Sequence, residues 1–120
     1  MKRVLVVDDN ADGRESLRVL LELSGYAASA AADGAQALDM MRAQPADIVV
    51  TDIFMPTKDG VETIVAMRKE FPGVKIIAMS GAAQYTVDYL AVARELGAER
   101  ILRKPFDTQD LLDALEQVSG

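Results

Sequence analysis

The chain has 120 residues, half of them apolar, with 19 acidic and 13 basic side chains and a net charge of −6, which suits one globular domain over residues 1–120. Without Cys it can form no disulfide or thiolate metal site, and without His it lacks the imidazole base, the phosphohistidine and the usual zinc ligand. No apolar run nears the ~18 residues of a membrane span, the apolar run after Met1-Lys2-Arg3 is too short for a signal-peptide core, and an acidic domain is a poor direct binder of nucleic acid; the expectation is a cytoplasmic protein.

Arg3 to Asp8 is the first predicted strand, in which the apolar residues Val4 to Val7 run straight into the paired carboxylates Asp8 and Asp9. Asp9 or Asn10 can cap the helix that follows; Leu17, Leu20, Leu21 and Ser24 keep its one-face spacing, and Gly25 ends it. Tyr26 to Ala31 is a weaker strand, rich in Ala. Asp33-Gly34 is a turn and cap before a short helix, Ala35 to Ala43, with Leu38 and Met41 inward, and Pro45 breaks it. Residues 46–52, ADIVVTD, form a third strand that again ends on a carboxylate, Asp52. After a loop punctuated by Pro56 and Gly60, Val61, Ile64 and Val65 start a third helix that runs to Phe71 and is closed by Pro72-Gly73. Residues 74–80, VKIIAMS, are the fourth strand and end on Ser80. Beyond Gly81-Ala82-Ala83, a fourth helix through Val87, Leu90 and Ala91 ends at Gly97. Residues 100–104, RILRK, are a fifth strand stopped by Pro105; Thr108 or Asp107 caps a last helix with Leu111, Leu112, Leu115 and Val118 on one side.

Five strands alternating with five helices predict an α/β fold, a doubly wound parallel sheet covered on both faces. Burial on both faces explains apolar runs that do not alternate. The methionines at 40, 41, 55, 67 and 79 fit core filling.

In open parallel sheets, ligands sit beyond the carboxyl ends of the strands, where the strand order reverses. Four of the five predicted strands deliver a polar group to that edge: Asp8 and Asp9, Asp52, Ser80, and Lys104. With a strand order of 2-1-3-4-5, the first and third strands are neighbours and Asp8, Asp9 and Asp52 share one small cup. Three close carboxylates repel one another, since like charge disfavours ionisation. A hard divalent cation removes that conflict, and Mg²⁺ takes oxygen ligands and shares its sites with phosphate. A carboxylate can itself attack phosphorus. Asp52 stands alone and suits that role, while the pair Asp8/Asp9 suits the metal. Lys104 can give a point charge to a phosphoryl oxygen and Ser80 a hydroxyl. Taken singly, each of these residues also fits a helix cap, a turn or a solvated surface.

Four segments in order, VLVVDDN at 4–10, DIVVTDIFMPTKDG at 47–60, IIAMSG at 76–81 and ILRKPF at 101–106, resemble the receiver domain of two-component response regulators, over essentially the whole chain. The resemblance implies the strand order 2-1-3-4-5 and the flavodoxin-like three-layer sandwich shared with the single-domain chemotaxis regulator. It implies that Asp52 accepts a phosphoryl group from a phosphohistidine on a sensor histidine kinase or phosphotransfer protein. Asp8, Asp9, Asp52 and the main-chain carbonyl of Phe54 would hold Mg²⁺, Lys104 would bind the phosphoryl group, Ser80 would act as the switch, and the Lys104–Pro105 bond would be cis. The chain would then alter contacts with an output partner or effector domain, and would catalyse only its own phosphorylation and dephosphorylation.

One departure stands out. Many receivers carry Tyr or Phe three residues before the lysine; here the residue is Ile101, which fits simple core, and the fifth strand has no aromatic. Tyr85, Tyr89, Arg94 and Arg103 are candidates for an output surface. An aspartyl-phosphate phosphohydrolase would want a second Asp two residues after the nucleophile, where Phe54 stands, together with a substrate cap. A flavin carrier would want a Ser/Thr/Gly-rich loop where this chain has Asp8-Asp9-Asn10. A receiver-like module that is never phosphorylated is the remaining alternative; the complete set of five side chains argues against it, and Ile101 argues for it.

Overall fold

Val4 to Val7 are all buried because the strand that carries them, β1 (Arg3–Val7), lies inside a sheet with helices on both faces. The computed structural model describes residues 2–53, 60–80 and 94–119. There β1 is followed by α1 (Ala11–Leu23), β2 (Ala27–Ala31), α2 (Gly34–Ala43), β3 (Ile48–Asp52), α3 (Gly60–Glu70), β4 (Lys75–Ser80), β5 (Arg100–Arg103) and α4 (Thr108–Ser119). The five strands are parallel, in the order β2-β1-β3-β4-β5, the doubly wound arrangement expected of the sequence. Four helices are found among the described residues. The expected helix through Val87, Leu90 and Ala91 lies outside them, and so do Tyr85, Tyr89 and Met55; Arg94 and Glu95 are helical just before Gly97. No helix among the described residues is long and apolar enough to cross a membrane.

Successive residues of a strand point to opposite faces, so each apolar run feeds two cores. Leu5, Val7, Val49, Ile76 and Ala78 face α2 and α3 and pack with Leu38, Met41, Ile64 and Met67. Val4, Val6, Val50, Ile77 and Met79 face α1 and α4 and pack with Leu21, Leu111 and Leu115. Ile101, expected to be simple core, is half-buried and packs against the first of these cores from its margin.

Local chemistry fixes where the helices begin. The Asn10 side chain caps α1 by accepting from Gly13 N at 2.8 Å, and Asp33 caps α2 by accepting from Gln36 N at 2.8 Å. Before α4 the cap is Asp107, whose Oδ1 accepts from Asp110 N at 2.8 Å. Gly25 follows α1 with a φ of 96°, a left-handed conformation that suits glycine.

Two details add to the sequence reading. Val65 is 47% exposed, because α3 turns Gly60, Thr63, Ile64 and Met67 to the sheet and the next position after Ile64 is ~100° round the helix. Ser24 is exposed just past the end of α1, its backbone N–H closing onto Leu20 O.

Gly60 joins α3 to the end of β3. A Cβ there would lie 2.2 Å from the Asp52 carbonyl oxygen and 2.3 Å from Ile53 Cα, both backbone atoms. In an open helix, Gly→Ala stabilises by about 1 kcal/mol. Here the clash dominates, and Gly60→Ala is expected to destabilise by about 1–3 kcal/mol, as overpacked substitutions do. Urea unfolding measures the effect; an unchanged or higher midpoint would show that helix propensity and not close approach governs the position.

Candidate functional site

The ladders end at one level, and the polar residues begin there. Val7 pairs with Ala31 on one side and Thr51 on the other, so Asp8 leaves the sheet beside Asp52, the last residue of β3. Ser80 ends β4 opposite Arg103, and Lys104 follows directly, its backbone N–H donating to Ser80 O at 2.7 Å. Three of these groups are buried: Asp8 is 3% exposed, Asp52 7% and Ser80 5%. Asp9, one step further out, is exposed.

Asp8, Asp9 and Asp52 each bring a carboxylate oxygen to within 4.8 Å of the others. The Lys104 ammonium lies 3.0 Å from Asp52 Oδ2 and 3.6 Å from Asp8 Oδ2. Burial pulls the Lys104 pKa down, but the hydrogen bond and charge of Asp52 and the charge of Asp8 outweigh it and leave it raised. The lysine therefore stays protonated at neutral pH and serves as counter-ion to two buried acids. The Lys104–Pro105 peptide bond is cis.

Asp8 is held at each of its polar groups. Its N–H donates to Ala31 O at 3.1 Å, and its Oδ1 accepts from Asn10 N at 3.0 Å. Its carbonyl oxygen accepts from Arg14 Nη1 at 2.8 Å, and its Oδ2 faces Lys104. An apolar cleft of about 650 Å³ opens beside it, lined by Gly13, Ser16, Leu17, Pro105 and Phe106. A larger cavity of about 790 Å³ lies at the opposite edge of the sheet, between Asp47, Pro72, Lys75 and Arg100. It shares no residue with the acid cluster, whereas Asp8 and Lys104 both line the smaller cleft.

The structure thus gathers Asp8, Asp9, Asp52, Ser80 and Lys104 at one sheet edge, from four strand ends as the sequence predicts. The Phe54 carbonyl lies outside the described residues. Sequence reading missed Arg14 and the part played by Gly13, where a Cβ would come 3.3 Å from Asp8 Oδ2. A glycine in the first turn of a helix is a weak helix former, and that was the available signal.

The response regulator receiver domain family matches residues 4–116, nearly the whole chain. The chain is 37% identical over 110 residues to the response regulator MprA of Mycobacterium avium, covering 92% of this chain and 47% of MprA, so it spans about half the length of that relative. It is also 37% identical over 121 residues to the protein CcdB of Bacillus subtilis, covering 100% of this chain and 99% of CcdB. The crystal structure of the response regulator TrrA from Thermotoga maritima matches with a TM-score of 0.86 at 31% identity, over 98% of this chain and 99% of that one. The chain belongs to the response regulator receiver domain family, the signalling switches of two-component systems.

The electrostatics of the cup carry a stability consequence. Asp8 faces one cation at 3.6 Å and shares the cup with two like charges, while Lys104 sits closer to Asp52. In Mg²⁺-free buffer, Asp8→Asn removes the repulsion and keeps an oxygen for the Asn10 N–H. It is expected to stabilise by about 1 kcal/mol, roughly 4 °C in melting temperature. Thermal melting in a chelator checks this; a lower melting temperature would mean that the attraction to Lys104 outweighs the repulsion.

Proposed function

We propose that residues 1–120 form one receiver domain working as a phosphorylation-driven switch, in which Asp52 accepts a phosphoryl group from the phosphohistidine of a sensor histidine kinase or phosphotransfer protein. The observation that carries this reading is the Lys104 ammonium in contact with both buried acids, with a third carboxylate beside them. In the transfer, an Asp52 carboxylate oxygen bonds to phosphorus while the P–N bond of the donor breaks. The electron pair leaves with the imidazole nitrogen, which takes up a proton. Such a reaction depends on alignment and charge neutralisation more than on covalent help from the protein.

Each neighbour has a task in this reading. Lys104 gives a point charge to one phosphoryl oxygen. Ser80, buried at the end of β4, offers a hydroxyl to another. Three carboxylate oxygens within 4.8 Å, in a chain without His or Cys, form a hard oxygen set that fits Mg²⁺, with the Phe54 carbonyl as a further proposed ligand. Bound there, Mg²⁺ would neutralise charge on the phosphoryl oxygens. The TrrA structure, solved in complex with Mg²⁺–BeF, supports the assignment.

The phosphoryl group adds about −1.5 to −2 charge and three strong acceptors. Lys104 and Ser80 turn toward those acceptors, and the state that allows this gains population. A preference of about 2 kcal/mol changes the ratio of states roughly 30-fold. With half-buried Ile101 where a ring would stand, the switch works through the Ser80 hydroxyl without an aromatic on β5. Its output is an altered contact with a protein partner or effector domain, in the cytoplasm, with neither nucleic acid nor membrane touched directly by this chain. Its only catalysis is on its own phosphorylation and dephosphorylation.

The test is intact-mass measurement after incubation with a small phosphoryl donor and Mg²⁺. The expected result is a gain of one phosphoryl group, lost in Asp52→Asn and lost when Mg²⁺ is chelated. No gain with any donor would replace this reading with that of a binding module that works unphosphorylated.

A further inference from the structure

Arg14 lies in the first turns of α1, where the helix dipole disfavours a cation. Its side chain is half-buried, and its Nη1 donates at 2.8 Å to the main-chain carbonyl of Asp8, six residues back. The bond goes to a carbonyl although Asp9, Asp12 and Glu15 are close in sequence. That carbonyl belongs to the peptide between Asp8 and Asp9, the point at which the chain leaves β1. The orientation of this peptide plane sets where the exposed Asp9 carboxylate stands relative to buried Asp8. The other side of Asp8 is already fixed, by Ala31 O on its N–H and by Asn10 N on Oδ1.

We infer that Arg14 is a positioning residue for the metal ligands: its guanidinium straps the Asp8–Asp9 peptide so that both carboxylates face one ion. The inference rests on the proposed reading of Asp8, Asp9 and Asp52 as the Mg²⁺ set. Arg14 acts through the backbone and not on the ion. Its charge works against the role, because a cation beside a cation site weakens binding. Charge and geometry therefore predict opposite signs when the side chain is removed.

The experiment is isothermal titration with Mg²⁺ alone, well below the melting transition, on the wild-type chain, Arg14→Ala and Arg14→Met, with melting in a chelator as the fold control. Groups that orient metal ligands typically account for 10–100-fold in affinity. The expected result is a Kd for Mg²⁺ raised about tenfold in both variants. Arg14→Met keeps the bulk of the side chain and carries the test alone if Arg14→Ala does not fold. An unchanged or lower Kd in the folded variants overturns the inference while leaving the Mg²⁺ reading intact. If the wild-type chain itself takes up no Mg²⁺, that reading fails and the inference falls with it.

Discussion

Two buried carboxylates sharing one ammonium is the contact on which this molecule turns. Asp8 and Asp52 are almost fully covered, and Lys104 reaches both. Burying an unpaired charge costs several kcal/mol, and the lysine offsets part of that cost for both acids. The two acids in turn hold the lysine's pKa above its ordinary value. The three residues come from 8, 52 and 104 in a chain of 120; the parallel sheet brings their strand ends to one edge, and the order β2-β1-β3-β4-β5 sets β1 beside β3. The fold and the site are one constraint: the apolar strands exist to be covered, and covering them leaves only their ends free to carry charge.

What surrounds the site is stiff where it must be. β1 and β3 are buried along almost their whole length, and their apolar residues divide between two cores. Gly60 lets the start of α3 press against the end of β3, its N–H donating to Ile53 O at 2.5 Å. Asn10 both caps α1 and holds the Asp8 carboxylate, so the helix start and the acid are fixed by one residue. At the far edge, Arg68 and Glu99 join α3 to the approach to β5 by hydrogen bonds to Val74 O, Gly97 O and Ile76 N.

Much of this was legible in the residues. Doubly buried strands read as unbroken apolar runs, and a run that stops on Asp8, Asp52, Ser80 or Lys104 marks its carboxyl end. Caps at Asn10 and Asp33 follow from local hydrogen-bonding chemistry, which needs no tertiary knowledge. The strand order was not legible in this way and came with the family resemblance, because periodicity says nothing about which strands are neighbours. Gly60 looked like loop punctuation, since the close approach of its backbone to Asp52 and Ile53 leaves no trace in spacing. The exposure of Val65 was not legible, because apolar character alone cannot fix the phase of a helix to within one residue. Arg14 gave no sign, as the direction of a long flexible side chain is decided by what it finds in the fold.

The most direct measurement of the central contact is a double-mutant cycle on stability, with Lys104→Met, Asp52→Asn and the double variant unfolded by urea in a chelator. A paired ammonium and carboxylate predict non-additivity, with a coupling above about 0.5 kcal/mol of attractive sign. Strict additivity would contradict the account, for it would mean that the two charges do not sense each other across the sheet edge.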